Sequence, residues 1–172
     1  VYNKLDDALF TTVSSIYKKY IKYKKFYETD FEEESEVFER EDFIDWKYFI
    51  YYYKNRPIAF TEFKVFDSNH GLTGQFGWDY ENPKLSMGTY ATLHEIDWSI
   101  KNKCKKYYLS YGYENTSLYK SRFDGFEFWN GRSWLSNKLL YKKLCEHDTE
   151  INTIQELNTY QRKYFKLNGK TT

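Results

Sequence analysis

The sequence predicts an α/β domain with a mixed, mostly antiparallel sheet flanked by helices. Three observations carry this expectation. Apolar residues near the start of the chain recur at helical spacing. Three β-rich runs follow, separated by turn signals. A helical pattern then leads into a Tyr-rich strand, so the meander ends in a strand–helix–strand unit. At 172 residues the chain is read as one domain, long enough to bury a core. Its N-terminal helices occupy 1–46, a central sheet with the main helix 47–135, and C-terminal helices 136–166.

Leu5, Leu9, Val13, Ile16, Tyr17, Tyr20 and Ile21 form the apolar stripe of the first helix, with Lys18, Lys19, Lys22, Lys24 and Lys25 on its outer face. An acidic stretch from Asp30 to Asp42 is expected to hold a loop and a second helix ending near Trp46. Lys47 to Tyr53 is the first strand. Asn55-Arg56-Pro57 turns the chain into a second, Pro57 to Phe66, and Asp67 to Gly71 turns it again. Leu72 to Trp78 is the third strand. Its Gly74 and Gly77 signal a bulge or the close approach of a ligand. The helix expected over Ser86 to Asn102 has Ser86 as its cap and Tyr90, Leu93, Ile96 and Ile100 as its buried face. Tyr107 to Tyr111 is the next strand, and a short helix is expected over Ser117 to Phe123. Phe126 to Trp129 is a strand turned by Asn130-Gly131 into Arg132-Ser133-Trp134. Helices over Ser136 to Glu146 and Thr149 to Phe165 complete the chain. The expected core includes Phe60, Phe63, Val65, Leu93, Ile96, Ile100, Tyr108 and Leu109.

Composition narrows the function classes. Aromatic residues make up 22% of the chain (Tyr 19, Phe 14, Trp 5), too much ring surface for a disordered chain despite 30% charged residues. A formal net charge of +1 gives no global basic field of the kind that dominates nucleic-acid binding. Cys104 and Cys145 stand far apart and outside any metal-ligand spacing, so no metal is expected and a reduced, cytoplasmic setting is. The longest apolar run, Tyr48 to Tyr53, is too short to span a bilayer, and no signal-peptide pattern is visible.

The ordered segments Ser86-Met87-Gly88-Thr89-Tyr90, Tyr107-Tyr108-Leu109-Ser110-Tyr111 and Tyr119-Lys120-Ser121-Arg122-Phe123 resemble the C-terminal domain of arginyl-tRNA–protein transferases and their bacterial leucyl relatives. In those proteins a Ser-Leu-Gly-Thr-Tyr/Phe helix precedes a Tyr-Tyr-Leu-Gly-Tyr strand and a Tyr-Lys-x-Arg/Gln segment. The likeness covers Asn55 to Phe123, about two fifths of the chain. His94 stands where the family usually has Arg, and Asn115 to Leu118 replace its Cys-Pro-Lys-Met. The resemblance implies a GCN5-related N-acyltransferase-like fold, whose element order matches the one read above. It also implies transfer of an aminoacyl group from aminoacyl-tRNA to an amine of a peptide or protein, with the tRNA acceptor end as partner and no permanently bound cofactor.

That reaction is direct aminolysis. It needs donors for the oxyanion, a proton acceptor and alignment, but no nucleophilic triad. Asp79 and Glu81, at the end of the third strand, suit a proton acceptor or the anchor of a cationic substrate. They suit an ordinary polar turn as well. Trp78 would border the cleft. Ser86, Gly88 and Thr89 open the helix at a place where backbone N–H groups can meet an anion. Tyr111 and Tyr113 flank a glycine at the strand exit, where they would orient the amine or stack on adenine. The resemblance places Lys120 and Arg122 against a phosphate or a carboxylate. Two alternatives stay open: an acetyl-CoA-dependent N-acetyltransferase, and a catalytically silent interaction domain on the same scaffold.

Overall fold

The computed structural model describes residues 1–24, 46–67, 69–110, 114–148 and 151–167, with side chains as far as residue 163. The expected loop and second helix of the acidic stretch lie outside the described residues. The chain is divided into two compact units, Val1–Ser110 and Tyr111–Thr172. The fold is mixed α/β, with a four-stranded mixed sheet flanked by helices.

The first unit opens with α1, Asp7–Lys24. Asp6 Oδ1 accepts from the Leu9 N–H at 2.8 Å and caps its free amides. Strands β1 (Trp46–Tyr53), β2 (Arg56–Phe66) and β3 (His70–Trp78) form the antiparallel meander. Its first turn is two residues long. Lys54 and Asn55 both take left-handed φ values, 48° and 61°, the conformation that a right-twisted hairpin favours. A 3₁₀ turn, Pro83–Leu85, leads into α2, Met87–Lys101, and the chain returns as β4, Lys106–Tyr108. The sheet order is β1-β2-β3-β4, and β4 runs parallel to β3. Strand β4 is shorter than the Tyr-rich run suggests. Its expected last residue, Tyr111, lies outside the described residues.

Side chains alternate across β1. Tyr48 joins α1 in a core with Val13, Ile16, Tyr17, Ile21 and Phe60. Phe49 and Tyr51 join α2 in a second core with Ala59, Phe63, Trp78, Met87 and Ala91. Helix α2 is rotated from the expected face. Leu93 and Ile100 are 52% and 70% exposed, and Tyr90 is exposed as well. Ile96, Val65, Tyr108 and Leu109 are half-buried. Met87, Ala91, Thr92, Glu95 and Ser99 are the residues that α2 buries. The cause is steric. The sheet supplies Phe49 and Phe63 as large rings, so the helix approaches through small side chains. A Cβ placed on Gly71 would sit 2.7 Å from Phe63 Cζ and 3.1 Å from Ser99 Oγ.

The glycines of β3 serve the chain's own rings. The β2–β3 register shifts between Thr61 and Phe63, which is the bulge expected near Gly74. A Cβ on Gly74 would meet the Trp46 ring at 2.6 Å, and one on Gly77 the Phe60 ring at 2.8 Å. The close approach at both positions therefore comes from aromatic packing within the protein. Gly77→Ala is expected to cost about 1–3 kcal/mol by overpacking. Urea midpoints of the two proteins check this.

The second unit holds a 3₁₀ helix (Asn115–Arg122), the hairpin β5 (Phe128–Trp129) and β6 (Trp134–Leu135), α3 (Lys138–Cys145) and α4 (Ile154–Leu167). Phe128, Leu140, Tyr141, Leu144, Cys145 and Leu157 make its core. In the hairpin turn, Asn130 Oδ1 accepts from the N–H groups of Arg132 and Ser133 at 2.9 and 2.8 Å. Helix α4 starts later than expected because Thr153 and Glu156 form a reciprocal capping box. Glu156 N–H donates to Thr153 Oγ1 at 3.2 Å, and Thr153 N–H donates to Glu156 Oε2 at 2.9 Å.

Candidate functional site

The end of β3 and the start of α2 gather most of the expected site residues of the first unit. Trp78 is buried and packs on Tyr80, with ring centroids 4.0 Å apart. Tyr80 takes φ 56° and stacks on Tyr23 with centroids 3.7 Å apart. Asp79 and Glu81 are both engaged by one guanidinium. Arg56 donates to Asp79 Oδ2 at 3.0 Å and grips both oxygens of Glu81, at 2.8 and 2.6 Å. Lys19 approaches Glu81 at 3.7 Å. The Arg56 hydrogen bond holds the Glu81 carboxyl below the usual carboxylate range, which weakens it as a proton acceptor. Asp79 is the less accessible of the two, with a side chain 5% exposed.

Ser86 does occupy the N-cap position of α2, but in a left-handed conformation (φ 48°, ψ 46°) and with no side-chain capping bond. This corrects the expected hydroxyl cap. The preceding 3₁₀ turn aims Ser86 N–H at Pro83 O, at 3.2 Å. Ser86 and Thr89 are exposed and Gly88 is half-buried. A Cβ on Gly88 would meet only the Phe76 ring, at 3.7 Å, so space at this residue is ordinary.

Further along α2 lies a polar cluster that no sequence pattern announced. Glu95 is 1% exposed, and the Tyr107 hydroxyl donates to its Oε2. Burial pushes the Glu95 carboxyl up from 4.5 to about 7, against the opposing pull of Tyr107, Thr61 and Thr73. Tyr51, from the central part of β1, has its hydroxyl 3.2 Å from His94 Nδ1. Burial first, and the neighbouring Glu95 second, raise the Tyr51 phenol well above its ordinary range. Burial lowers His94 from its ordinary value, so both groups are neutral at pH 7. Asp97, three residues from His94, is paired with Lys101 at 2.6 Å. The only available signal for Glu95 was its place one turn from Ala91 and Ser99, which matters only once the buried face is known.

The remaining expected residues belong to the second unit. Tyr111 and Tyr113 lie outside the described residues. Arg122 is exposed, whereas Lys120 is 8% exposed, and burial lowers its ammonium below the ordinary range. Lys120 is thus a packed residue of the 3₁₀ helix. Among the described residues no group of three or more His, Cys, Asp or Glu side chains is placed to hold a metal, and no helix is long and apolar enough to cross a membrane. No protein-family profile, curated protein or solved structure matches this chain.

Proposed function

We propose that the protein transfers an aminoacyl group from the ester of an aminoacyl-tRNA to a peptide or protein amine, by direct aminolysis in a GCN5-related N-acyltransferase-like cleft. One observation carries the proposal. The parallel pairing of β3 with β4 is three residues long, from His70–Lys106 to Leu72–Tyr108, while β3 continues to Trp78. Strand β4 pairs over its whole length, so among the described residues the C-terminal half of β3 has no partner strand on the β4 side, and α2 begins at that same end of the sheet. The first-turn N–H groups, with the positive end of the helix dipole, suit the oxyanion or phosphate of a donor. The amine nitrogen attacks the ester carbonyl, the amide bond forms, and the tRNA hydroxyl leaves with a proton. The resemblance of Ser86 to Tyr90 to Ser-Leu-Gly-Thr-Tyr, and the absence of the fuller glycine loop of acetyl-CoA enzymes, favour tRNA as donor.

The test is a titration of the full chain with charged tRNA and with acetyl-CoA at two salt concentrations. Saturable tRNA binding that falls steeply with salt is expected. Gly88→Glu, which places an anion beside the first turn where a side chain has room, should abolish that binding without unfolding the protein. Acetyl-CoA binding alone would move the donor to acyl-CoA. Binding of neither would make this an interaction domain.

A further inference from the structure

The geometry points to a second site, a binding cavity at the β1 edge of the sheet for an uncharged or anionic, but not cationic, aromatic molecule carrying one hydroxyl or carbonyl group. A cavity of about 440 Å³ opens there between β1, the start of β2 and the first two turns of α2. That size lies within the range of ordinary small-molecule sites. It is walled by Phe49, Tyr51, Tyr53, Leu85, Tyr90 and His94, among others. In the sheet order, β1 is the edge opposite β4, and the cavity meets the start of α2 through Leu85, Met87 and Tyr90. The inference stands whether or not aminoacyl transfer does.

The lining selects the ligand. Aromatic walls favour a flat ring through offset and edge contacts. None of the side chains lining the cavity is Asp or Glu, so a cation finds no counter-charge. A cation is further opposed by Lys54, whose ammonium already lies 5.4 Å from the centre of the Tyr53 ring. The buried polar feature is the Tyr51–His94 pair, joined by the 3.2 Å contact. Both partners are neutral at pH 7 and can donate or accept, which suits a hydroxyl or a carbonyl.

The probe is 2-naphthol, a neutral fused ring with one hydroxyl, titrated into the full chain and followed by amide NMR shifts. Saturable shifts at residues 49–53 and 85–94 are expected. Tetramethylammonium should bind at least about tenfold more weakly, for want of a counter-charge. Leu85→Trp fills the cavity and should remove binding. Tyr51→Phe should weaken 2-naphthol about fivefold, one hydrogen bond's worth, and leave 2-methylnaphthalene unchanged. That split separates recognition from a general loosening of the fold. Shifts elsewhere, no saturation, tetramethylammonium binding as tightly, or equal losses for both naphthalenes would each overturn the inference.

Discussion

Glu95→Gln is expected to make the protein more stable than its parent above pH 7, by about 3 kcal/mol, and to leave stability unchanged below pH 4. The sign follows from the direction of the shift. Burial raises the folded-state value from 4.5 to about 7, so the native protein holds the Glu95 proton more tightly than the unfolded chain does. The stability linked to that proton is complete below the unfolded value. It is lost progressively as pH rises from about 4.5 to about 7, where the carboxyl must ionise beside the Tyr51 ring and against the packed sheet. Glutamine copies the protonated form. It keeps an oxygen for the Tyr107 hydroxyl and offers its amide to Thr61 and Thr73. Urea midpoints for both proteins at half-unit steps from pH 4 to 8 check this. Parallel pH profiles would show that Glu95 is not the titrating group.

Phe63→Ala should cost about 3–5 kcal/mol, the usual loss for a fully buried ring. Leu93→Ser should change stability by no more than about 0.5 kcal/mol. The contrast tests which face α2 presents to the sheet. Phe63 is 0% exposed and packs edge-on against Phe49 and Trp98, at ring-centroid distances of 5.4 and 4.9 Å. Leu93, which helical periodicity assigns to the core beside it, is exposed on the outer face of α2. Thermal and urea denaturation of the two variants measure both quantities. Comparable losses would return Leu93 to the core and reject the helix rotation described above.

The candidate site was partly readable in the residues. The Trp78-Asp79 strand end and the Ser86-Met87-Gly88 helix opening stand at the same end of the sheet because a strand followed by a crossover helix must place them there. What Asp79 and Glu81 do was not readable. Their partner Arg56 comes from the far end of the preceding hairpin, and only the register Ala59↔Trp78 brings it alongside. The burial of Lys120 was not readable, because a 3₁₀ helix turns the chain on a period that neither the strand nor the α-helix pattern detects.

From the sequence alone came the order of the described elements, the α1 stripe and the turns between the strands, because backbone period and local turn chemistry decide those. The Thr153–Glu156 box was there to be read as well. Tertiary structure alone decided which face of α2 is buried. That helix carries apolar residues on one side and small or polar ones on the other, so its own periodicity prefers Leu93 and Ile100 inward. The sheet decides otherwise. Phe49 and Phe63 already fill the space above β1 and β2, and Ala91 and Ser99 fit against them where leucine and isoleucine would collide. Glu95 is carried inward on the same face. Its burial is tolerated because Tyr107, from the strand after the helix, reaches its carboxyl.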